Sequence, residues 1–484
     1  MSALVLAALL AVPADTLVVG TLADPVSLDP HRATDLVAAA VLSNVCEPLV
    51  RYRADGSRPE GVLATAWATV DARSWTFTLR TGVKFHDGAA FDAAAVVANL
   101  ENLRQERSFT ARAQASGPAV VSVMLDRPNA ALLATLSQPF FCMQSPRELR
   151  SRKAGPLSGT GPFRLGAVRR GQVELLAARE HWAGKPRLQR VVFRRLPSED
   201  ALLAALLADE VDVTSALGLH RVEALRRHAG LTLDARTGLN IAFLSVNNER
   251  KPLADPVVRH AISAAIDRPA IVRDLLGGHG EPARNPLPPS VWGFSARTRE
   301  LSRDRAAARR MLARAGLPKG FETTLLTVDA PRPYLPAPLP LAARIRDDLA
   351  QVGIRARLRQ VKTWSEYLAR AGRGDYDLAL LGWQADTVDP NDFLSVLLGS
   401  EYVGTTNRSR YRSPAMDALL EQGRRGRDQK ERAVRYREAQ TLFQRDMPWV
   451  PLYHVSVFTA YRRNLRGLMV GPTGIPRYHK AWKH

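Results

Sequence analysis

The sequence predicts an α/β protein of two or three domains, and three observations carry that reading. Strand and helix patterns alternate along most of the chain. The texture changes near Val246, where long Pro-rich loops begin to separate the elements. The chain has 484 residues, 46% of them hydrophobic, which is ample for a large core. Alternating units imply mostly parallel sheets, and ligands in such sheets sit in the crevice outside the strands' carboxyl ends.

The elements follow in order. Residues 3–12 are apolar, and Val12, Pro13 and Ala14 are small enough for cleavage after Ala14. This looks like a secretory signal, residues 1–14, although a basic leader segment is missing. The run is too short to span a bilayer, and no Cys closes it to take a lipid. Residues 16–20 read as a strand, followed by the loop "LADPVSLDP", residues 22–30. Residues 35–45 read as a helix, with Val37, Val41 and Leu42 at helical spacing. Trp75, Phe77 and Leu79 alternate with polar residues, as in a strand, and residues 91–103 form the next helix. "SGTGPFRL" is a tight turn into a strand, and Ser198 starts a capped helix over residues 198–208. Beyond Val246, helices and strands alternate up to "YDLALLGW".

The formal net charge is +21, nearly all from scattered Arg. A scattered excess favours solubility and says little about fold. No zinc-finger spacing or RNA-binding aromatic signature accompanies it, so nucleic acid is not an expected partner. No phosphate-binding loop, nucleophile elbow or H-E-x-x-H motif occurs, so no catalytic residue, metal site or cofactor is expected. His86-Asp87-Gly88 reads as a turn, and His454 as a satisfied histidine. Cys46 and Cys142 lack metal-ligand spacing; they form either a disulfide or two buried thiols.

One stretch stands apart. "LALLGWQADTVDPNDFLSVLLGS", residues 378–400, runs from an apolar strand through Trp383 and three acids into a helix. Asp389 with Pro390 reads as turn and helix-start chemistry, and Asp392 as an exposed first-turn acid. Asp386 reads, from the residues alone, as a helix-cap or surface acid.

Five segments in this order, "WTFTLRTGVKFHDGAAF", "GTGPF", "SVNNERKPLADPVVRHAISAAID", "GWQADTVDPNDFL" and "MPWVPLYH", resemble the extracytoplasmic solute-binding proteins of bacterial ABC transporters. The branch is family 5, peptide and nickel binding, and the dipeptide-binding members are most similar. The resemblance covers nearly the whole chain after the signal. It implies a two-lobe periplasmic binding protein with an extra subdomain in the first lobe and a hinge between lobes. The first lobe would comprise residues 15–44, 158–246 and 455–484, the extra subdomain 45–157, and the second lobe 247–454. The crossings near Asn247 and His454 would be the hinge.

The resemblance also implies a site. Asp386 matches the family acid that holds a peptide's α-ammonium, and Arg332, in "RPY", the Arg that holds its α-carboxylate. Tyr334 and Trp383 would add apolar walls. The loop carrying Ser27 and Leu28 faces the family's cleft. The sequence departs from the family at Ala385, where a Gly is usual, and in the Pro-rich stretch after Tyr334. The chemistry is consistent: a zwitterion leaving water needs both charges paired, and Arg suits a carboxylate because it binds it as a fork. The expectation is therefore a monomeric, periplasmic, non-enzymatic carrier that closes on a dipeptide or short peptide and delivers it to an ABC permease in the inner membrane. Haem, glutathione, an opine or a metal chelate are the alternative cargoes, and an intracellular ligand sensor the alternative role.

Overall fold

The computed structural model describes residues 13, 15–107, 109–151, 157–426 and 428–484. The predicted signal segment, Pro13 apart, lies outside the described residues. No helix among the described residues is long and apolar enough to cross a membrane.

A twelve-stranded sheet runs through both lobes. Its first-lobe part centres on Thr16–Thr21, paired in parallel with Arg190–Arg195 and Val213–Thr214. Its second-lobe part centres on Phe321–Val328, paired in parallel with Ile354–Val361 and Leu378–Gln384. The expectation of mostly parallel pairing does not hold. Four pairings are parallel and seven antiparallel. Four of the antiparallel pairings are made by one strand of 14 residues, Trp449–Arg462, which passes from lobe to lobe and takes antiparallel partners in each; the other three join Gln172–Ala177 to its two neighbours and Asn240–Val246 to Leu378–Gln384.

That strand locates the crossings. Its first part pairs with Asn240–Val246, and the stretch from Ser456 to Arg462 pairs with Leu231–Thr237. Asn240–Val246, grouped with the first lobe by the sequence reading, also pairs with Leu378–Gln384. Gly238 and Leu239 separate that strand from Leu231–Thr237, and His454 and Val455 fall between the two pairings of the long strand. Asn240, 1% exposed, ties the two together. Its Nδ2 donates to the Val455 carbonyl at 2.9 Å, and its Oδ1 accepts from the Val455 N–H at 2.7 Å. His454 is buried as expected, with Nδ1 2.7 Å from the Asn240 carbonyl, and burial lowers its pKa to about 4.

Residues 49–143 contribute a separate hydrophobic core around a four-stranded antiparallel sheet, Ala64–Thr69, Ser74–Leu79, Val120–Leu125 and Ala111–Ala115. Tyr52 and Ala134 leave that unit to join the second-lobe core. Cys46 and Cys142 form a disulfide, resolving the alternatives left by the sequence. "GTGPF" is a close-packing device. A Cβ on Gly159 would lie 2.2 Å from the Val45 carbonyl oxygen, and one on Gly161 2.7 Å from it. His86-Asp87-Gly88 is a turn, with Gly88 at φ +82° and its N–H donating to Phe85.

Part of the Arg excess sits at the sheet's edges. The edge strand Ile354–Val361 carries Arg355, Arg357 and Arg359, and the opposite edge, Phe163–Arg169, carries Arg164 and Arg169. Charged edges discourage pairing with other chains.

Candidate functional site

The site starts where Leu378–Gln384 ends. Leu378 to Leu381 are buried in the second-lobe core, and the chain then opens toward the first lobe. Gly382 is required here. A Cβ would lie 2.2 Å from the Tyr334 ring and 2.5 Å from the Ile241 carbonyl oxygen, so only glycine lets Tyr334 lie against the strand. Tyr334 is held by a tight turn in which the Arg332 N–H donates to the Leu335 carbonyl and the Leu335 N–H donates back, at 3.0 and 2.8 Å. Burial pushes the Tyr334 phenol pKa up, while the charges of Arg332 and Arg408 oppose that rise. The Arg332 guanidinium stacks 4.3 Å from the Trp364 ring centroid and meets no carboxylate within ion-pair distance among the described residues. The Trp383 indole N–H is buried without an acceptor.

Asp386 occupies the turn that follows. Its carboxylate accepts no hydrogen bond and joins no ion pair among the described residues. Burial raises its pKa, and the charge of Arg107 partly offsets the rise. Arg107, at the end of the helix Ala93–Arg107, belongs to the opposite wall. Its guanidinium donates to the carbonyls of Pro30 and Ala33 and lies 4.8 Å from the Phe140 ring centroid. The loop bearing Ser27 and Leu28 thus meets Arg107 through the Pro30 carbonyl. The Ser27 hydroxyl accepts from the Asp29 N–H at 3.1 Å, and Leu28 packs on the first-lobe core.

The neighbouring acids differ from expectation. Asp392 is not an exposed first-turn acid. Its Oδ2 accepts from the N–H groups of Asp386 and Thr387 at 3.0 and 3.1 Å and from the Thr387 hydroxyl at 3.3 Å. It ties the turn that presents Asp386. Burial, reinforced by the charge of Asp386, raises its pKa to about 7. Asp389 does accept from the Asn391 N–H, at 3.0 Å, as turn chemistry requires. It also forms a buried two-pronged pair with Arg432, both bonds 2.7 Å. The helix Gln429–Asp446 that supplies Arg432 is so rich in Arg that sequence offered no reason to single this one out.

A cavity between the lobes collects Asp386, Thr387 and Val388 from one side and Ser43, Arg51 and Arg477 from the other. Arg332, Tyr334 and Trp383 do not line it. The structure thus gathers Trp383, Tyr334 and Asp386 along one strand end, with Arg332 set back on Trp364. Arg477 lines the cavity from the first lobe and the charge of Arg107 acts on Asp386; neither was singled out by sequence. No group of three or more His, Cys, Asp or Glu able to hold a metal occurs among the described residues.

An α/β chain of two lobes joined by paired strands, with a bare charged group in the space between, has the architecture of a protein that closes on a solute. Comparison with known proteins agrees. The chain belongs to the bacterial extracellular solute-binding proteins, family 5, whose model matches residues 58–405. It is 30% identical to the probable D,D-dipeptide-binding periplasmic protein DdpA of Escherichia coli (strain K12), over 96% of this chain and 93% of that one. It is 28% identical to Heme-binding protein A of Haemophilus influenzae (strain ATCC 51907 / DSM 11121 / KW20 / Rd), over 89% and 85%. Among solved structures, HbpA2 from Haemophilus parasuis superposes with a TM-score of 0.92 at 26% identity, covering 97% of this chain and all of that one.

Proposed function

We propose that this chain captures a short zwitterionic peptide, most simply a dipeptide, between its lobes and delivers it to an ABC permease in the inner membrane. The observation that carries this reading is the Asp386 carboxylate, which faces the inter-lobe cavity with no protein donor. Asp386 is exposed, and when the lobes close over it its carboxylate needs a cation, which a peptide's ammonium supplies. The Trp383 N–H, buried without an acceptor, and the Tyr334 ring lie at the strand end that leads to Asp386, outside the cavity. A guanidinium then takes the ligand's carboxylate; Arg332, which the family resemblance implies for this role, lies on Trp364 outside the cavity. The lobes pivot about the crossings at residues 238–239 and 454–455 to enclose the ligand. The protein acts as a periplasmic monomer released from a signal segment, without covalent chemistry. Its disulfide suits an oxidising compartment.

Calorimetric titration of the refolded, ligand-free protein with a mixed dipeptide set tests this. The expected result is binding at roughly micromolar Kd, about −8 kcal/mol, lost in Asp386→Ala. Binding that the variant leaves unchanged would remove Asp386 from the site. The similarity to Heme-binding protein A makes haem the second cargo. A Soret band on adding haem, with no heat from peptides, would favour it.

A further inference from the structure

The same cavity that holds Asp386 holds a second charged group without a partner. Arg477 lines it from the first lobe. Its guanidinium makes no hydrogen bond or ion pair among the described residues, and its Nε is fully buried and unsatisfied. Nothing about its backbone is loose. Arg477 pairs with Met469 across a short antiparallel ladder. Its neighbours are clamped by Asn44, which is 0% exposed: Nδ2 donates to the Pro476 carbonyl at 3.4 Å, and Oδ1 accepts from the Tyr478 N–H at 2.8 Å. The Tyr478 ring is buried in the first-lobe core. A fixed backbone with an unpaired guanidinium projecting into a cavity describes a preorganised anion receptor.

We propose that Arg477 is the group that binds the carboxylate of the captured peptide, opposite Asp386, which binds its ammonium; the proposal rests on the peptide reading above. The two charges come from different lobes, so a zwitterion spanning them would draw the lobes together. The charge that acts on Asp386 is Arg107, whereas those that act on Arg477 are Arg51 and Glu60, so neither group serves as the other's counter-ion. Burial, with the nearby Arg51 charge, lowers the Arg477 pKa to about 10, the mark of a cation short of negative charge. Arg51 does not compete for the role, because its Nε is engaged by Glu60 at 2.8 Å. Arg332 lies outside the cavity on Trp364, a resting place that leaves Asp386 and Arg477 as the charged pair facing the same space.

The test titrates Ala-Ala and its C-terminal amide, Ala-Ala-NH2, into the wild type, Arg477→Ala, Arg477→Lys and Arg332→Ala. The wild type is expected to bind the free acid at least tenfold more tightly than the amide. That ratio should fall to about one in Arg477→Ala, recover partly in Arg477→Lys and persist in Arg332→Ala. A wild type that binds both equally overturns the proposal while leaving the peptide reading intact. So does a ratio that survives in Arg477→Ala and vanishes in Arg332→Ala. If a correctly folded wild type binds neither compound, the peptide reading fails and this proposal fails with it.

Discussion

Arg432→Ala should be the most damaging single substitution in the second lobe. The guanidinium is 4% exposed, and its partner Asp389 is 1% exposed. Besides the two 2.7 Å bonds to Asp389, it donates to the Gly423 carbonyl at 2.9 Å and to the Tyr436 hydroxyl at 3.1 Å, and lies 5.0 Å from the Trp292 ring centroid. Truncation leaves a buried carboxylate with no counter-ion. Breaking such a pair from one side costs about 3–5 kcal/mol, mainly the penalty of the stranded charge. Urea unfolding followed by tryptophan fluorescence measures it, with Trp292 as a reporter beside the lesion. The cost should shrink on acidification. A buried carboxylate that has lost its counter-ion is costly only while it is charged, so protonation restores part of the loss. Asp389→Leu with Arg432→Met, which removes both charges, should recover most of the loss. A single variant within about 1 kcal/mol of wild type at pH 8 would refute the reasoning.

Three further outcomes are expected. Replacing Cys46 and Cys142 by Ser opens a 96-residue loop and should lower stability by about 2–5 kcal/mol, read from the urea midpoint against the oxidised protein. Gly382→Ala should destabilise by about 1–3 kcal/mol through the clash with Tyr334 and weaken peptide binding, measured by denaturation and calorimetry. Asp392, shifted from 3.8 to about 7, stabilises the fold in its protonated form; that contribution is present below about pH 4 and lost as pH rises through about 7. In Asp392→Asn, thermal melts between pH 4.5 and 8 should lack this decline.

The elements legible in the sequence were those with local causes. Asp35 and Ser198 cap helices as their positions suggested, accepting from the N–H groups of Ala38 and Ala201. The alternation of Trp75, Phe77 and Leu79 gave a strand because its inward face is apolar. Asp386 stood out through the family resemblance rather than from its own neighbours, which suggested a cap or surface acid; among the described residues it is unpaired. Strand direction was not legible, because a single long strand serving two lobes leaves no local mark. Nor was the role of Asp392, whose partners are backbone N–H groups set by the fold of the turn. Arg107, Arg432 and Arg477 were hidden by their own abundance: one Arg among many acquires meaning only from what surrounds it.

The clasp at Asn240 has a mechanical consequence. Two strands pass between the lobes, and one side chain fastens them side by side at the point of passage. Two separate tethers would let the lobes slide or wobble past each other. Two tethers bound at a common point behave as one flexure, with a single easy axis and stiff resistance to everything else. The cleft can then open and shut along one path, and groups on opposite walls return to the same mutual positions at every cycle.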